Sequence, residues 1–244
     1  MKRFSADLHI HTALSPCASD EMTPPAIVRA AIEEGLAMIA ICDHNTTGNI
    51  AATQEAAGRD VTVLAGMEIT TAEEVHVLAV FPDANTARAV SEKVRATLPE
   101  RSEACRRFGE QRLMDATGLV VGVERKMLSA SSAFGLIEVV DLIKGQRGLA
   151  IAAHVERPSF SVLSQLGMFP TDISFDAVEI SAAAARPALG SKVSRLGLPV
   201  ISCSDSHFLA DVGTCSTALE IREPTFLELC LALKGVDGRR CCNA

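Results

Sequence analysis

Six histidines, His9, His11, His44, His76, His154 and His207, each fall in or directly after a short apolar run of strand length. Acidic residues accompany them in Asp7-Leu8-His9-Ile10-His11, Asp43-His44 and Asp205-Ser206-His207, and Glu68 follows the apolar run 61–65. A lone His at a strand end is ordinarily a satisfied core or surface residue. Six of six in that position call for something cationic to hold the imidazoles. Residues two apart in a strand share a face, so His9 and His11 can approach one metal, and Asp205 and His207 repeat the spacing. Nitrogen and carboxylate donors together suit zinc, manganese or iron rather than calcium. The candidate ligands outnumber the needs of one tetrahedral ion, so two or three divalent ions are expected.

Bringing such distant residues together is the work of the elements between them. Strands are expected at 6–10, 37–42, 61–65, 75–81, 119–123, 149–153, 177–180, 200–203 and 217–221. Helices are expected at 24–34, 47–57, 86–97, 100–117, 136–146, 187–196 and 225–234. Pro24 and Pro25 after Thr23 start the first helix, and Gly35 and Gly197 follow two helical patterns where a C-terminal cap belongs. Strand–helix alternation with short strands argues for an α/β fold, a parallel sheet with helices outside it. In a closed β/α barrel the C-terminal strand ends converge on one mouth. Residues 83–117 break the rhythm with two successive Arg/Glu-rich helical patterns. They read as a helical insertion in a single domain spanning 1–244: a solvated hairpin first, a cationic cap over the site as the sharper alternative.

The chain has 244 residues, 48% of them hydrophobic and 22% charged, enough apolar material for a substantial core. A net charge of −7 argues against a broad basic face for long duplex DNA. Tyr and Trp are absent, so any stacking platform rests on the nine Phe. No apolar run is long enough to span a membrane, and the N-terminus has no signal-like apolar segment. Eight Cys without a C-x-x-C pair read as a reducing, cytoplasmic compartment. There is no phosphate loop, dinucleotide fingerprint or nucleophile elbow.

The ordered set Asp7-Leu8-His9-Ile10-His11-Thr12, Cys42-Asp43-His44-Asn45-Thr46, Glu68, His154 and Ser204-Asp205-Ser206-His207 resembles the PHP (polymerase and histidinol phosphatase) family of metal-dependent phosphoesterases, from Asp7 to about Gly213. The resemblance implies a distorted seven-stranded, TIM-like β/α barrel with up to three metals. It implies ligands at His9, His11, His44, Glu68, His76, His154, Asp205 and His207. Glu68 would bridge two ions, His9 and Asp205 would share one with it, and His76 and His154 would complete another. Cys17 stands where family members often carry a further His or Asp, with Asp20 nearby. Either Cys17 is a ligand, favouring zinc or iron, or it is inert and Asp20 or water fills the place.

The implied activity is hydrolysis, by metal-activated water, of phosphate monoesters or short nucleotide or oligonucleotide substrates. Asp43 or Asp205 is a candidate for moving the proton, and Asp43 is alternatively a carboxylate that orients a ligand His. Arg157, three residues past His154, is suited to binding phosphate, unless it simply pairs with Glu156. Lys126, Lys144, Arg186 and Lys192 are weaker candidates of the same kind, and Glu179, at the end of the strand expected at 177–180, either faces the site or, the favoured reading, is a solvated or helix-capping residue. Two other classes compete: a non-catalytic metal-binding regulatory module, and a hydrolase of C–N bonds. The second typically uses a Lys-bridged metal pair, and no Lys sits at a strand end with the His set.

Overall fold

The computed structural model describes residues 1–102, 109–181 and 196–242. Its main sheet contains β1 (Lys2–Ile10), β2 (Met38–Ile41), β3 (Thr62–Thr70), β4 (His76–Phe81), β7 (Leu149–Ala152), β8 (Ala177–Ser181), β9 (Val200–Cys203), β10 (Thr217–Ile221) and β11 (Arg240–Cys242). The order across the sheet is β11-β10-β1-β2-β3-β4-β7-β8-β9. Strand β10 occupies the N-terminal half of β1, pairing Lys2 with Ile221 through Ala6 with Thr217. At the other end of β1, a parallel bridge between Ile10 and Ser206 brings in the chain just past β9. The sheet thereby curls into a nearly closed barrel. Helices α1 (Pro24–Glu33), α2 (Ile50–Ala57), α3 (Ala84–Thr97), α4 (Leu136–Gly145), α5 (Val162–Leu166) and α6 (Phe226–Leu233) accompany it, and β5 (Arg112–Met114) and β6 (Val120–Val123) form a separate hairpin.

Alternation along the strands sorts the core into two layers. Ala6, Leu8, Met38, Ala40, Leu64, Leu78, Val80, Leu149, Ile151 and Ala177 form one buried cluster inside the barrel. Ile39, Ile41, Val63, Ala65, Val77, Ala79 and Phe81 belong to the second, which includes the apolar stripe of α1 (Ile27, Val28, Ala31). Strict alternation from Ala6 and Leu8 would turn His9 out of the barrel. It does not, because β1 carries an extra residue: Asp7 pairs with Ile39 and Ile10 with Ile41, three steps on one strand against two on the other. Such a bulge exchanges the faces of the strand beyond it. Ile10 then joins the outer core layer, and His9 and His11 turn to the mouth.

The fold departs from the sequence expectation in four places. The sheet has nine strands rather than seven, because β10 and β11 add antiparallel to β1. It is not wholly parallel: β4 is antiparallel to both β3 and β7. Only five residues separate β3 from β4, too few for a parallel crossover. A single helix over 100–117 is ruled out by β5 at Arg112–Met114, while residues 103–108 lie outside the described residues. Its backbone is claimed by tertiary partners instead, with Arg112 N–H donating to Ala13 O (3.1 Å) and Met114 N–H to Asn49 Oδ1 (2.9 Å). Helix α5 and strand β11 were not expected. The helix expected at 187–196 falls almost wholly outside the described residues. Among the described residues no helix is long and apolar enough to cross a membrane.

Candidate metal centre

The barrel interior is apolar up to the level of Gly66 and turns polar immediately above it. Gly66 lies on β3 between Leu64 and Glu68, where a Cβ would sit 2.4 Å from Cys42 Sγ. Only glycine fits, and the next inward residue is Glu68, almost completely buried. His44 follows β2 and is bridged to Glu68. His76 opens β4; because that strand runs backwards, its first residue lies at the level of the other strands' last ones. His154 and Asp205 follow β7 and β9 in left-handed backbone, with φ of 27° and 51°. Such conformations are costly for non-glycine residues and gather at functional sites.

Glu68 is the hub. Its Oε1 lies 2.7 Å from His76 Nδ1, 3.1 Å from His154 Nε2 and 3.5 Å from His9 Nε2. Its Oε2 lies 2.9 Å from His44 Nδ1 and 3.4 Å from His11 Nε2. Asp205 Oδ1 is 3.0 Å from His11 Nε2 and 3.3 Å from His9 Nε2. Three overlapping sets of donor atoms could each hold an ion: His9–His11–Glu68–Asp205, His44–Glu68–His76 and His11–His44–His207. His154 joins the second set's neighbourhood, 3.3 Å from His76 Nδ1. A pocket of about 190 Å³ opens above Glu68, lined also by Arg157, Ser159 and Phe160.

A second layer aims these groups. Glu179 is fully buried and accepts from His9 Nδ1 at 3.0 and 3.1 Å and from the His154 backbone N–H at 3.1 Å. His11 Nδ1 meets Ser15 Oγ at 2.9 Å, and that hydroxyl donates to Asp43 at 2.7 Å. Asp43 also accepts from Thr12 N–H and Thr12 Oγ1, both at 2.7 Å. Asp7 accepts from Ser204 and from Gly213 N–H, tying the Asp205 loop to β1.

The electrostatics are those of a cation site. Burial opposes ionisation of Glu68, yet the imidazoles of His76, His9 and His44 hold its carboxyl well below the usual range. Asp205 is likewise held low, against its burial, by His9 and His11. Burial works against a charged His9, but Glu179, Asp205 and Glu68 raise it well above an ordinary imidazole. His44 is raised in the same way by Glu68 and Cys17, whereas burial and the neighbouring His207 push His11 well down. Protons on His9 and His44 thus supply positive charge that the carboxylates demand. Hydrogen bonding does not fully satisfy the cluster: His154 Nδ1 is buried without a partner, and Glu68 Oε2 and His44 Nδ1 face each other at 2.9 Å as an ion pair without hydrogen-bond alignment. Close-set, incompletely satisfied nitrogen and carboxylate donors fit a transition-metal centre.

The structure therefore brings together His9, His11, His44, Glu68, His76, His154, Asp205 and His207. Cys17 lies at the rim, its Sγ 3.2 Å from His44 Nε2; burial raises its thiol, but hydrogen bonds from His207 and His44 bring it down to about 6. Asp20 is elsewhere, exposed and paired with Arg112 at 2.8 Å. Arg157 is paired with Asp205, not with Glu156, which binds Ser181. Asp43 is engaged by Thr12 and Ser15 and does not line the pocket. Lys126 and Lys144 pair with Glu100 and Asp176 away from the pocket; Arg186 and Lys192 lie outside the described residues. Among the described residues nothing from 83–117 lines the pocket. Sequence reasoning ranked a site-facing Glu179 below a solvated one, although Ala177 two residues earlier faces the barrel interior, so period-two alternation already turned Glu179 inward. It missed Ser15 and Phe160, for which the sequence carries no spacing signal.

Fold and site together define an α/β barrel whose mouth is equipped to hold metal ions. A PHP domain family model matches residues 7–186 and a PHP-associated model matches residues 192–235, and the chain belongs to the PHP family. No curated protein sequence matches it. Among solved structures, the lesion-specific endonuclease Q of Pyrococcus furiosus is similar at a TM-score of 0.72 and 20% identity, over 98% of this chain and 58% of that one. An endonuclease Q complex with a 27-mer duplex carrying an abasic lesion matches at 0.71 and 21%, with the same coverage. The chain thus spans little more than half the length of these structures. A candidate metal-dependent phosphoesterase from Bifidobacterium adolescentis matches at 0.57 and 23%, over 83% and 87% of the two chains. An amidohydrolase from Chromobacterium violaceum matches at 0.62 and 21%, over 86% and 90%.

Proposed function

We propose that this chain is a metal-dependent phosphoesterase that hydrolyses phosphate monoesters or the ester of a short nucleotide or oligonucleotide. The observation that carries the reading is the convergence of five imidazoles on the single buried carboxylate of Glu68, beside the guanidinium of Arg157 in the pocket wall. Two or three ions of zinc, manganese or iron would be held by His9, His11, His44, Glu68, His76, His154, Asp205 and His207, with Cys17 rather than Asp20 as the further neighbour. Such ions lower the pKa of water toward about 7 and neutralise charge on a phosphoryl oxygen.

The chain's own residues do the rest. Donation from His9 Nδ1 to Glu179 fixes the tautomer that presents the Nε2 lone pair. The relay from His11 through Ser15 to Asp43 does the same for His11, which makes Asp43 a positioning residue. Asp205, kept ionised by His9 and His11, would serve as a ligand and steady Arg157. Arg157, steadied by Asp205, offers a planar fork to phosphoryl oxygens. The small pocket admits a phosphoryl group and leaves the organic part of the ester at the mouth. A net charge of −7 favours short substrates over long duplexes. The likeness to an amidohydrolase supports a second reading, C–N hydrolysis, although no described Lys lines the pocket.

The test is a substrate panel on protein loaded with each metal and checked by elemental analysis. It comprises monophosphates, nucleoside bisphosphates, short single strands, a duplex with an abasic site, and simple amides. Release of phosphate or nucleotide from the short esters is the expected result. Turnover of amides alone selects the second reading, and a clear preference for the duplex overturns the restriction to short substrates. Failure of fully metallated protein to turn over any phosphoester refutes the proposal.

A further inference from the structure

The chain has no Tyr or Trp and only nine Phe. Among the described residues just two Phe are exposed, and both belong to segments that build the site: Phe160, 40% exposed, lines the pocket, and Phe208 directly follows His207. Phe160 is held with unusual care. Its ring stacks on the His76 imidazole with centroids 4.6 Å apart and planes at 19°. Its carbonyl accepts the His76 backbone N–H at 2.8 Å, and its φ is +57°, in the left-handed region that a bulky side chain rarely enters. Arg157 lies three residues earlier in the same pocket wall. Covering His76 needs one face of the ring. The contact does not bury Phe160: 40% of the residue stays open to solvent in the pocket wall.

We infer that Phe160 is a specificity-determining platform on which the planar ring of the substrate's ester group stacks, so that the site takes phosphoesters carrying a nucleobase in preference to those of sugars or aliphatic alcohols. Arg157 and the metal ligands would receive the phosphoryl group, while the base rests on the outer face of Phe160. Stacking on an aromatic side chain tolerates any base, because every base has a π-face. The inference rests on the phosphoesterase reading for its chemistry, but the binding of the ring does not depend on turnover.

The test compares metallated wild type with Phe160→Leu, which keeps apolar bulk over His76 and removes the π-face. Steady-state kinetics are measured on a nucleoside monophosphate and on ribose phosphate, and binding of the unphosphorylated nucleoside is measured by calorimetry. Loss of one base-stacking contact corresponds to a factor of roughly 5 to 150. The wild type should prefer the nucleotide by about that factor. Phe160→Leu should raise KM for the nucleotide and weaken nucleoside binding by a similar factor, leaving ribose phosphate within about twofold. Equal losses on both esters would mean that Phe160 merely shields His76, and absence of any preference in the wild type would equally overturn the inference. Nucleoside binding that depends on Phe160 without turnover of any ester would retain the platform and remove the phosphoesterase reading; ester turnover with no base preference would do the reverse.

Discussion

Replacing Glu179 with Gln removes a charge and almost no volume, which makes it a sharp probe of the layer behind the ligands. The carboxylate serves two buried donors, His9 Nδ1–H at 3.0 and 3.1 Å and His154 N–H at 3.1 Å. An amide has one acceptor oxygen: in the Oε2 place it still accepts from both donors but sets its NH2 group against His9 Nδ1–H, and turned over it leaves the His154 N–H facing that NH2 group. A buried donor left without an acceptor costs about 1–3 kcal/mol. In a chain of this size each kcal/mol moves Tm by roughly 2–4 °C, so the metal-free variant should melt roughly 2–12 °C below wild type. Metal binding should suffer separately. Losing the carboxylate behind a ligating His typically costs 10- to 100-fold in affinity, roughly 1.4–2.7 kcal/mol. Thermal melts of apo protein and calorimetric titration with zinc read the two effects independently. Of the groups that raise His9 against its burial, Glu179 is the foremost, so the His9 imidazole should also titrate lower in the variant, as followed by NMR. Wild-type values for both melting and zinc affinity would show that Glu179 does not orient His9.

Arg157→Ala should lower kcat/KM for a phosphate ester roughly 10- to 100-fold, the worth of a charge-assisted hydrogen bond, with Arg157→Lys recovering only part; a variant as active as wild type removes Arg157 from the site. Gly66→Ala places a Cβ 2.4 Å from Cys42 Sγ and 2.8 Å from Ile41 O, an overpacking expected to cost about 1–3 kcal/mol in urea unfolding. Adding Cys42→Ala should return the part due to sulfur but not the part due to backbone, and additive effects in the double mutant would contradict the contact. Far from the mouth, Glu228 is held at about 2 by its bonds from Arg239 and the Arg222 N–H, below an ordinary carboxyl at 4.5. A depressed carboxyl contributes stability that is complete above pH 4.5 and lost as pH falls toward 2. The urea midpoint of wild type should therefore exceed that of Glu228→Gln at pH 6, with the gap closing over that window; a gap independent of pH would argue against the ion pair.

Much of the site was legible because its chemistry repeats a local rule. A His or acid after a five-residue apolar run marks a strand end, and a curled sheet brings such ends together wherever they lie in the chain. What the sequence hid were features set by partners rather than by neighbours. Alternation from Ala6 and Leu8 points His9 the wrong way, and only the register against Ile39 and Ile41 exposes the bulge that corrects it. The direction of β4 depends on a short turn whose consequence appears only in pairing. A solvated Glu179 is favoured over a site-facing one when only the residue type is weighed, because carboxylates usually are exposed, although its place on β8 two residues past Ala177 says otherwise. Arg112-Leu113-Met114 sits among strong helix formers, but hydrogen bonds to Ala13 and Asn49 decide its conformation.

The parallel bridge at Ile10 is a short lateral joint of the barrel. Most of β1 is zipped to β10 and β2; its backbone meets the segment after β9 through His11 N–H to Ser206 O (3.0 Å) and Ser206 N–H to His9 O (3.3 Å), beside the ties of Ser204 and Gly213 to the Asp7 side chain. Asp205 and His207 flank that Ser206, and Asp205 faces His11 across 194 positions of sequence. A cation held by donors on both sides of this seam would fasten the first strand to the ninth, across those 194 positions. Folding and metal loading would then be one linked equilibrium, and the resistance of the barrel to unfolding would rise with the free metal concentration around it.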